Sequence, residues 1–366
     1  MGNLNVSKIT LTDFTNDTTL DYTVAPVQTD GATGLDETEW TNTKASQYLG
    51  YYKTIPELKS VIDALALYSV GQGYTCELAD DQVLLESITG WGEDTINSIF
   101  DNLIRCKKIY GDAFAEIMRD KETGNIINLK VLDPATIRIV VNKQGRIKRY
   151  EQFEKTGKET NVLQKFKPNE LLHICNSKIA DEIHGTSIIQ AVEWIILAKN
   201  EAMDDRKTIF HRNVAPLKLF YADTDDQTKL NEITTKLQTV GKDKEWVVVP
   251  MDSAKVEIPV MSIVDSDAWI KYLDNHFYEV VGVPKIITGG SQEFTEASSK
   301  IAFLTFEQVY KREQEEFQAD LWNKLAIRIK FNQPVSLKNE LISSENKNTG
   351  QTGFQPNDIT IGSGKA

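Results

Sequence analysis

Two helical segments decide the fold of this chain: GTSIIQAVEWIILAKNEAMDDRKTIFHRN at residues 185–213 and DSDAWIKYLDNHFYEVVGVP at residues 265–284. The small and polar residues at 185–187 can cap the first helix. The second segment begins at Asp265 or Ser266, which can act in the same way, and ends in a Gly-Val-Pro sequence. Apolar side chains recur along the first segment at nearly sevenfold spacing, which predicts one narrow apolar stripe: Ile189, Val192, Ile196, Met203 and Phe210. The two segments together predict a helical hairpin.

The residues between these segments predict a compact α/β insert that splits the hairpin. Residues 216–221 are strand-like, and residues 245–249 and 255–260 are strand-like again. A helix is predicted between them, with three apolar residues on one face: Leu230, Ile233 and Leu237. The insert therefore follows the first helix and precedes the second.

A polar loop from about Thr288 to Phe294 follows the hairpin and leads to a further helix cap at Thr295. From there an apolar stripe continues to Phe331 through a very charged surface, which predicts the longest helix of the chain. Pro334 closes it. Residues 334–366 are polar and rich in Asn, Ser, Thr and Gly, which is typical of a flexible tail.

The first half of the chain predicts helices followed by strands. Residues 1–50 are polar, with short apolar runs, and predict an arm or a loosely packed edge. Thr54 and Glu57 have the spacing of a capping box at the start of a helix, and a second helix is predicted at about residues 92–108. Between residues 111 and 175 the apolar period changes to two, which predicts an antiparallel strand meander. The fold class is therefore α+β.

The charge balance excludes a protein that binds nucleic acid across its whole surface. Lys and Arg total 41 against 53 Asp and Glu, so the net charge is -12, whereas such proteins carry a basic footprint. We find no apolar run long enough for a membrane span and no signal peptide, so we expect synthesis in the cytoplasm and no membrane partner.

The titratable residues do not form a recognisable catalytic or metal motif. The sequence lacks H-E-x-x-H, C-x-x-C and G-x-S-x-G, and the four histidines are scattered. The three cysteines fit neither a disulfide framework nor a zinc site and are interpreted as buried thiols: Cys76, Cys106 and Cys175. We therefore expect no enzyme activity, no cofactor and no metal.

A series of short motifs runs along the chain: Tyr110-Gly111-Asp112-Ala113-Phe114, Leu132-Asp133-Pro134, residues 166–174, His184-Gly185-Thr186-Ser187-Ile188, His211-Arg212-Asn213, Gly282-Val283-Pro284 and Ala297-Ser298-Ser299. Their order and spacing resemble those of the portal proteins of tailed double-stranded DNA viruses. The similarity covers roughly residues 95–333. It lies in the order of the motifs, since no single one is diagnostic.

The resemblance implies a portal-like α+β fold with a wing, a helical stem, a small α/β clip and a short or absent crown. It divides the chain as follows: 1–183 wing, with N-terminal arm, helices and strand meander; 184–213 first stem helix; 214–262 clip; 263–283 second stem helix; 284–294 tunnel loop; 295–333 long wing helix; 334–366 reduced crown or flexible tail.

The resemblance also implies a function. Portal proteins form a ring, usually a dodecamer, at one capsid vertex of the virion, through which double-stranded DNA is packaged and later ejected. The implied partners are further copies of the chain, the major capsid protein and any scaffold, the terminase large subunit, and a head-completion adaptor or tail protein. Lys285 and Lys300 are the cations expected near DNA. The narrowest part of the channel is expected at the tunnel loop: Gly289, Gly290, Ser291, Gln292 and Glu293.

Two other readings stay open at this point. One is a metal-dependent DNA-processing enzyme of a mobile element that uses acids of the first half, although nothing in the sequence arranges those acids. The other is a monomeric partner-binding module or another virion structural protein. The net charge of -12 favours a conduit over a clamp, because each added phosphate contact would hold DNA more firmly.

Overall fold

The structure is a computed structural model that describes residues 29–31, 33–155, 161–214, 218–222, 226–240, 246–250, 255–257, 266–289 and 295–333. It confirms the α+β class. Three predicted segments lie outside the described residues: most of the N-terminal arm, the loop from Gly290 to Glu293, and the tail at 334–366.

The described residues contain eight α-helices: α1 (Ala45–Thr54), α2 (Pro56–Val70), α3 (Ala79–Glu86), α4 (Ile96–Tyr110), α5 (Ile188–Val214), α6 (Gln227–Val240), α7 (Ser266–Val281) and α8 (Glu296–Leu325). They also contain twelve strands: β1 (Glu37–Thr41), β2 (Tyr74–Cys76), β3 (Asp112–Arg119), β4 (Ile126–Leu132), β5 (Ile137–Asn142), β6 (Ile147–Phe153), β7 (Val162–Phe166), β8 (Leu171–Cys175), β9 (Lys218–Ala222), β10 (Trp246–Pro250), β11 (Lys255–Glu257) and β12 (Ile329–Phe331).

The strands predicted between residues 111 and 175 are present, but they form two antiparallel sheets rather than one meander. In one sheet β3 lies between β4 and β8, and in the other the order is β1-β5-β6-β7. The sheets separate because Asp133 and Pro134 turn the chain after β4: the Asp133 carboxylate accepts from the backbone N–H of Ala135 and caps a short 3-10 turn. A core of aromatic and aliphatic side chains joins the two sheets.

The helix predicted at about residues 92–108 is α4, and its ends have clear physical causes. Thr95 and Ser98 form a capping box, so the helix begins at Ile96, four residues after Gly92. Gly111 ends it in the left-handed conformation, with a φ of 89°, and a Cβ there would collide with the backbone of Gly185. The motif that leaves α4 therefore touches the motif that precedes α5.

The capping box predicted near the N-terminus is wrong. Thr54 does not cap the next helix: it is the last residue of α1, and its hydroxyl donates to the Gly50 carbonyl oxygen at 2.8 Å. Helix α2 instead begins at Pro56, whose ring is compatible with the first helical position. In the described part of residues 1–50, β1 pairs with β5 at the edge of its sheet and Tyr48 is buried.

The prediction that the long helix continues to Phe331 is wrong at its end. Helix α8 ends at Leu325, because Ala326 adopts the left-handed conformation with a φ of 58°. Ile329 and Phe331 lie in strand β12, which pairs antiparallel with β2. Their side chains are buried while Lys330 between them is exposed, which is the period of a strand.

The split hairpin is confirmed. Helices α5 and α7 are separated in sequence by the insert, in which β9 pairs in parallel with β10 and antiparallel with β11. Helix α6 connects the two parallel strands. Below, "the body" denotes residues 37–183 together with α8 and β12, and "the hairpin" denotes α5 and α7.

Candidate functional site: the hairpin and its adjoining turn

The two helices of the hairpin run antiparallel. Arg206 on α5 forms a salt bridge with Asp267 on α7, and Lys199 forms one with Asp274 at 2.9 Å. From the first pair to the second the residue number falls on α5 and rises on α7, as in antiparallel helices. At about 1.5 Å per residue, the 27 residues of α5 extend about 40 Å.

The half of the hairpin next to the body is well packed. Seven side chains of α5 and α7 are buried here against α1, α2 and the first half of α8: Ile189, Val192, Ile195, Ile196, Leu273, Phe277 and Val281. Ser187 starts α5 by accepting from the backbone N–H of Ile189, while its own hydroxyl donates to the Ile109 carbonyl oxygen. The root of the hairpin is thus part of the body's core.

The other half of the hairpin has no buried core. From residue 197 to 211 on α5, and from 267 to 272 on α7, every described side chain is at least partly exposed. Below, "the distal half" denotes residues 197–214 and 266–272. The first turn of the distal half still reaches the body, where Lys199 pairs with Glu57 of α2. Helices gain most of their stability from packing an apolar face, and the rest of the distal half lacks that stabilisation because no described side chain there is buried.

Apolar side chains of α5 are exposed on two opposite sides. Met203 and Phe210 continue the stripe of Ile196 at sevenfold spacing and are 49% and 56% exposed. Trp194 and Leu197 lie on the other side of the helix, at 50% and 52% exposure. A hydrophobic stripe that is buried at the root therefore continues uncovered along the distal half, and a second apolar patch faces away from it.

An aromatic row crosses from α5 to α7. The rings of Trp194 and His276 have centroids 5.7 Å apart, those of His276 and Tyr272 5.9 Å, and those of Tyr272 and Trp269 5.5 Å. Trp269 and Tyr272 are about half exposed. Aromatic side chains of this kind are enriched in protein interfaces, so this side of the hairpin suits contact with another protein chain.

An ion-pair network fixes the root of the hairpin. The Lys199 ammonium donates to Glu57 on α2 and to Asp274 on α7, both at 2.9 Å, and the Lys285 ammonium donates to Asp274 at 2.5 Å. Burial would raise the pKa of Asp274, but hydrogen bonds from Lys285 and Lys199 outweigh it and lower the pKa. The same balance between burial and Lys199 lowers the pKa of Glu57. Both carboxylates are therefore charged near neutral pH.

Hydrogen bonds hold the turn that follows α7 as far as Thr288, one residue before the predicted loop residues begin. Gly282 ends α7 in the left-handed conformation with a φ of 74°, and the buried Val283 anchors the chain. The Ile287 N–H donates to the Pro284 carbonyl oxygen at 3.0 Å, and Thr288 bonds the Lys285 carbonyl through both its N–H and its hydroxyl. This turn brings the chain to the exposed Gly289.

The predicted site residues are placed as follows. Gly289 ends the bonded turn with a φ of 109°, a conformation that favours glycine, and the other four loop residues lie outside the described residues. Lys285 pairs with Asp274, and its ammonium also lies 5.9 Å from the centroid of the Tyr278 ring. Lys300, in the first turns of α8, pairs with Glu296 at 2.8 Å. Both cations are thus charge-compensated within the chain.

Helix α8 is anchored to α4 by buried charges. The Glu313 carboxylate accepts from Lys107 and from Lys108, each at 2.7 Å, and Lys107 is 1% exposed. Burial raises the pKa of Glu313, but the two lysines outweigh it and hold the pKa below its usual range. The helix that follows the predicted loop is therefore fixed to the body.

The structure brings together three residues that sequence analysis treated separately. Asp112, His173 and Cys175 present ligand-type atoms that all lie within 4.8 Å of one another. His173 was one of the four scattered histidines and Cys175 was interpreted as a buried thiol, whereas Asp112 lies 61 residues before His173 in the sequence. The pairing of β3 with β8 makes this cluster.

Comparison with protein-family models identifies a portal family. The model described as the portal protein of Mu bacteriophage matches residues 52–335, more than half of the chain. Comparison with curated proteins gives no significant match. No helix in the described part of the chain is long and apolar enough to cross a membrane.

Solved structures of low identity share the fold. A chain in the neck of a native gene transfer agent particle, computed with C12 symmetry, is 18% identical with a TM-score of 0.63, and the match covers 87% of this chain and 92% of that one. An HK97 family phage portal protein from Corynebacterium diphtheriae is 14% identical with a TM-score of 0.51, covering 80% of this chain and 96% of that one.

Proposed function

Because the chain belongs to the family of the portal protein of Mu bacteriophage, we propose that it is the subunit of a ring at one vertex of a viral capsid. In this proposal double-stranded DNA enters and later leaves through the ring. The observation that carries the proposal is the distal half of the hairpin, which exposes apolar side chains on two opposite sides.

The two exposed sides suit a closed ring better than a simple dimer. A two-fold dimer uses one patch that contacts its own copy, whereas a ring needs two different patches, one for each neighbour. The stripe with Met203 and Phe210 provides one patch, and Trp194 and Leu197 with the aromatic row provide the other. The C12 symmetry of the gene transfer agent neck supports a ring of twelve copies here.

The parts of the chain are assigned roles on this basis. The body is the wing, α5 and α7 are the stem, and the insert at residues 214–262 is the clip at the far end of the stem. Residues 284–294 are the tunnel loop, and residues 334–366 form a reduced crown or tail. The clip would contact the terminase motor during packaging and the head-completion adaptor or tail protein afterwards, and the wing would contact the major capsid protein and any scaffold.

The proposed channel holds DNA weakly. Affinity for DNA grows with each phosphate that a free cation neutralises. Lys285 is occupied by Asp274 and Lys300 by Glu296, so each offers DNA little uncompensated charge. Together with the net charge of -12, this arrangement favours a wall along which DNA slides.

Negative-stain electron microscopy of the purified full chain tests the proposal. We expect rings with a central hole. The matched variant Leu197→Glu, which places a charge in one apolar patch, should give separate folded particles. Wild-type protein that stays monomeric at every concentration would contradict the proposal.

Packaging assays test the role of the loop. Deletion of residues 289–293 should leave rings intact, because the turn up to Thr288 and the cap at Thr295 are bonded independently of these residues. The same deletion should reduce the DNA packaged or retained in capsids. Capsids that fill and retain DNA normally would contradict the assignment.

Incubation with DNA and magnesium or manganese tests the alternative of a DNA-processing enzyme. Two acids of the first half are engaged in ion pairs, Glu37 with Arg149 and Glu39 with Arg138. We therefore expect no cleavage. Cleavage that is abolished by an acid-to-alanine change would support the enzyme instead.

A further inference from the structure

The body contains one group of metal-ligating side chains that the proposed function does not use. Asp112 begins β3, and His173 and Cys175 lie at the end of β8. Asp112 is paired directly with Cys175 in the sheet register, so their side chains lie on the same face. His173 is two residues from Cys175 and lies on that face too. Within the described part of the chain, this is the one such group.

The three side chains converge closely. The His173 Nε2 lies 2.9 Å from the Asp112 Oδ1 and 3.3 Å from the Cys175 Sγ. His173 and Asp112 are nearly fully buried, with side-chain exposures of 4% and 2%. A histidine, a cysteine and an aspartate together provide the nitrogen, sulfur and oxygen donors found in zinc sites.

An unsatisfied carboxylate oxygen points to a missing ligand. The Asp112 Oδ1 accepts from the backbone N–H of Gly185 at 2.8 Å, whereas its Oδ2 is buried and has no hydrogen-bond partner. Leaving a buried charged oxygen unpaired destabilises the folded chain. A cation bound beside it would remove that cost.

The surroundings hold the histidine in the geometry of a ligand. Its Nδ1 lies 3.1 Å from the Tyr150 hydroxyl oxygen, and its ring stacks on Phe114 with centroids 4.6 Å apart. Metal-binding histidines characteristically bond through their second nitrogen in this way, which fixes the ring and its tautomer. If the Nδ1–H donates to Tyr150, the Nε2 lone pair is free to bind a metal.

A cavity gives access to the group. It measures about 850 Å³ and is lined by His173 and Cys175 on one side and by α8 residues such as Asp320 on the other. It can supply a water molecule or a further ligand in a fourth position. We propose that Asp112, His173 and Cys175 bind one zinc ion, with the fourth position open to this cavity.

The donor set selects the metal. Calcium and magnesium prefer oxygen ligands, whereas a thiolate and an imidazole favour zinc and similar ions. Binding displaces the thiol proton, so the cysteine becomes a thiolate as the metal enters. Because Asp112 also bonds Gly185, the ion would hold the sheet of β3 and β8 to the segment that leads into α5.

A metal-free hydrogen-bond network is the competing account. In it Tyr150 donates to the Nδ1 of His173, and the Nε2–H donates to Asp112. This arrangement satisfies the histidine but leaves the Asp112 Oδ2 unpaired. The two accounts differ in whether the purified chain takes up zinc at this place.

Titration of the chelator-stripped full chain with zinc chloride, by calorimetry, tests the proposal, with cobalt chloride as a spectroscopic probe. We expect one equivalent of zinc to bind, and tetrahedral cobalt bands with a thiolate charge-transfer band. Cys175→Ser should weaken zinc binding by about 100-fold or more, since even residues that only support a ligand are worth about 10- to 100-fold. It should also remove the charge-transfer band.

Cys106→Ser is the matched control and should bind zinc and cobalt like the wild type. Wild-type protein that takes up no equivalent of zinc would overturn the proposal. Cys175→Ser that binds as tightly as the wild type would also overturn it, because the ion would then lie elsewhere. The wild-type cobalt spectrum decides the question even if a variant fails to fold, and neither readout depends on ring assembly.

Discussion

The body and the distal half of the hairpin both carry apolar side chains, but only the body buries them within one chain. In the body, apolar side chains and even charged groups such as Lys107 and Glu313 are buried within one chain. In the distal half, Met203 and Phe210 follow the same stripe as the buried Ile196 but remain half exposed. The body therefore folds as a unit, whereas the distal half of the hairpin needs a neighbouring subunit to bury its apolar side chains.

Truncation of an aromatic core residue should have the largest effect on the free energy of unfolding of the monomer. Phe317 is fully buried, and its ring contacts those of Phe100 and Phe331 at centroid distances of 5.5 and 5.7 Å. Phe317→Ala should cost about 3–5 kcal/mol in denaturant unfolding. Phe210→Ala, at the exposed end of α5, should cost less than about 0.5 kcal/mol. Equal losses would show that the distal half is already buried within one chain.

Removal of the buried acid of α8 should have an effect of similar or slightly smaller size. Glu313→Ala removes the nearest carboxylate from Lys107 and Lys108 and leaves them only Glu316 at 3.6 Å and the Asn176 side chain, which should cost about 3–5 kcal/mol. Glu296→Ala on the same helix removes an exposed, solvent-screened pair with Lys300 and should change the free energy of unfolding far less. Denaturant unfolding of both variants near neutral pH measures the difference, and a loss below 1 kcal/mol for Glu313→Ala would refute the anchor.

The same acid should give the body an acid-sensitive stability. The pKa of Glu313 is lower in the folded chain than in the unfolded chain, so its stabilisation is full above the unfolded pKa of about 4.3 and is lost as pH falls through the folded pKa. The free energy of unfolding of wild type should therefore fall more steeply on acidification than that of Glu313→Gln. Parallel curves for the two proteins would contradict this assignment.

The root network should contribute less, because it is only partly buried. Lys199→Met leaves Glu57 without its lysine and Asp274 with Lys285 alone, and it should cost about 1–3 kcal/mol near neutral pH. Since the lysine lowers the pKa of both acids, this loss should shrink below about pH 4 as they become protonated. Lys271→Met, on the exposed side of α7, is the control and should change unfolding by less than about 0.5 kcal/mol. A Lys199→Met loss that is independent of pH would argue against the ion pairs.

One substitution, Leu197→Glu, should have the smallest effect on the free energy of unfolding of the monomer and the largest effect on ring assembly. Leu197→Glu changes a half-exposed side chain and should alter monomer unfolding by less than about 0.5 kcal/mol. It should prevent ring formation, because it places a charge in one apolar patch. Leu78→Glu, an equally exposed leucine in the body, should still form rings when analysed by mass photometry. Normal assembly of Leu197→Glu would place the subunit interface elsewhere.

The sequence predicted those parts of the fold that depend on local pattern. The spacing of Ile189, Val192 and Ile196 and the period-two runs from residue 111 were enough to place α5 and the strands. The end of α8 was predicted wrongly because the apolar spacing gives no sign that Ala326 adopts the left-handed conformation. The alternation of Ile327, Ile329 and Phe331 does indicate a strand. Thr54 was misassigned because its hydroxyl has a nearer acceptor in α1.

The candidate site divides in the same way. The hairpin and its insert follow from local sequence, whereas the pairing of Lys285 with Asp274 was not predicted, because it depends on how the turn after α7 folds back on the helix. The cluster of Asp112, His173 and Cys175 could not be predicted, since it depends on the register between two strands about 60 residues apart. Strand register over such distances is set by tertiary packing.

Hydrogen exchange by mass spectrometry, on the assembled wild type and on monomeric Leu197→Glu, tests the central claim most directly. We expect the amides of α4 and β3 to exchange equally slowly in both, because the body buries its core within one chain. We expect the amides of the distal half, residues 197–214 and 266–272, to exchange much faster in the monomer than in the ring. Equal protection of the distal half in monomer and ring would contradict the claim that neighbouring copies complete it.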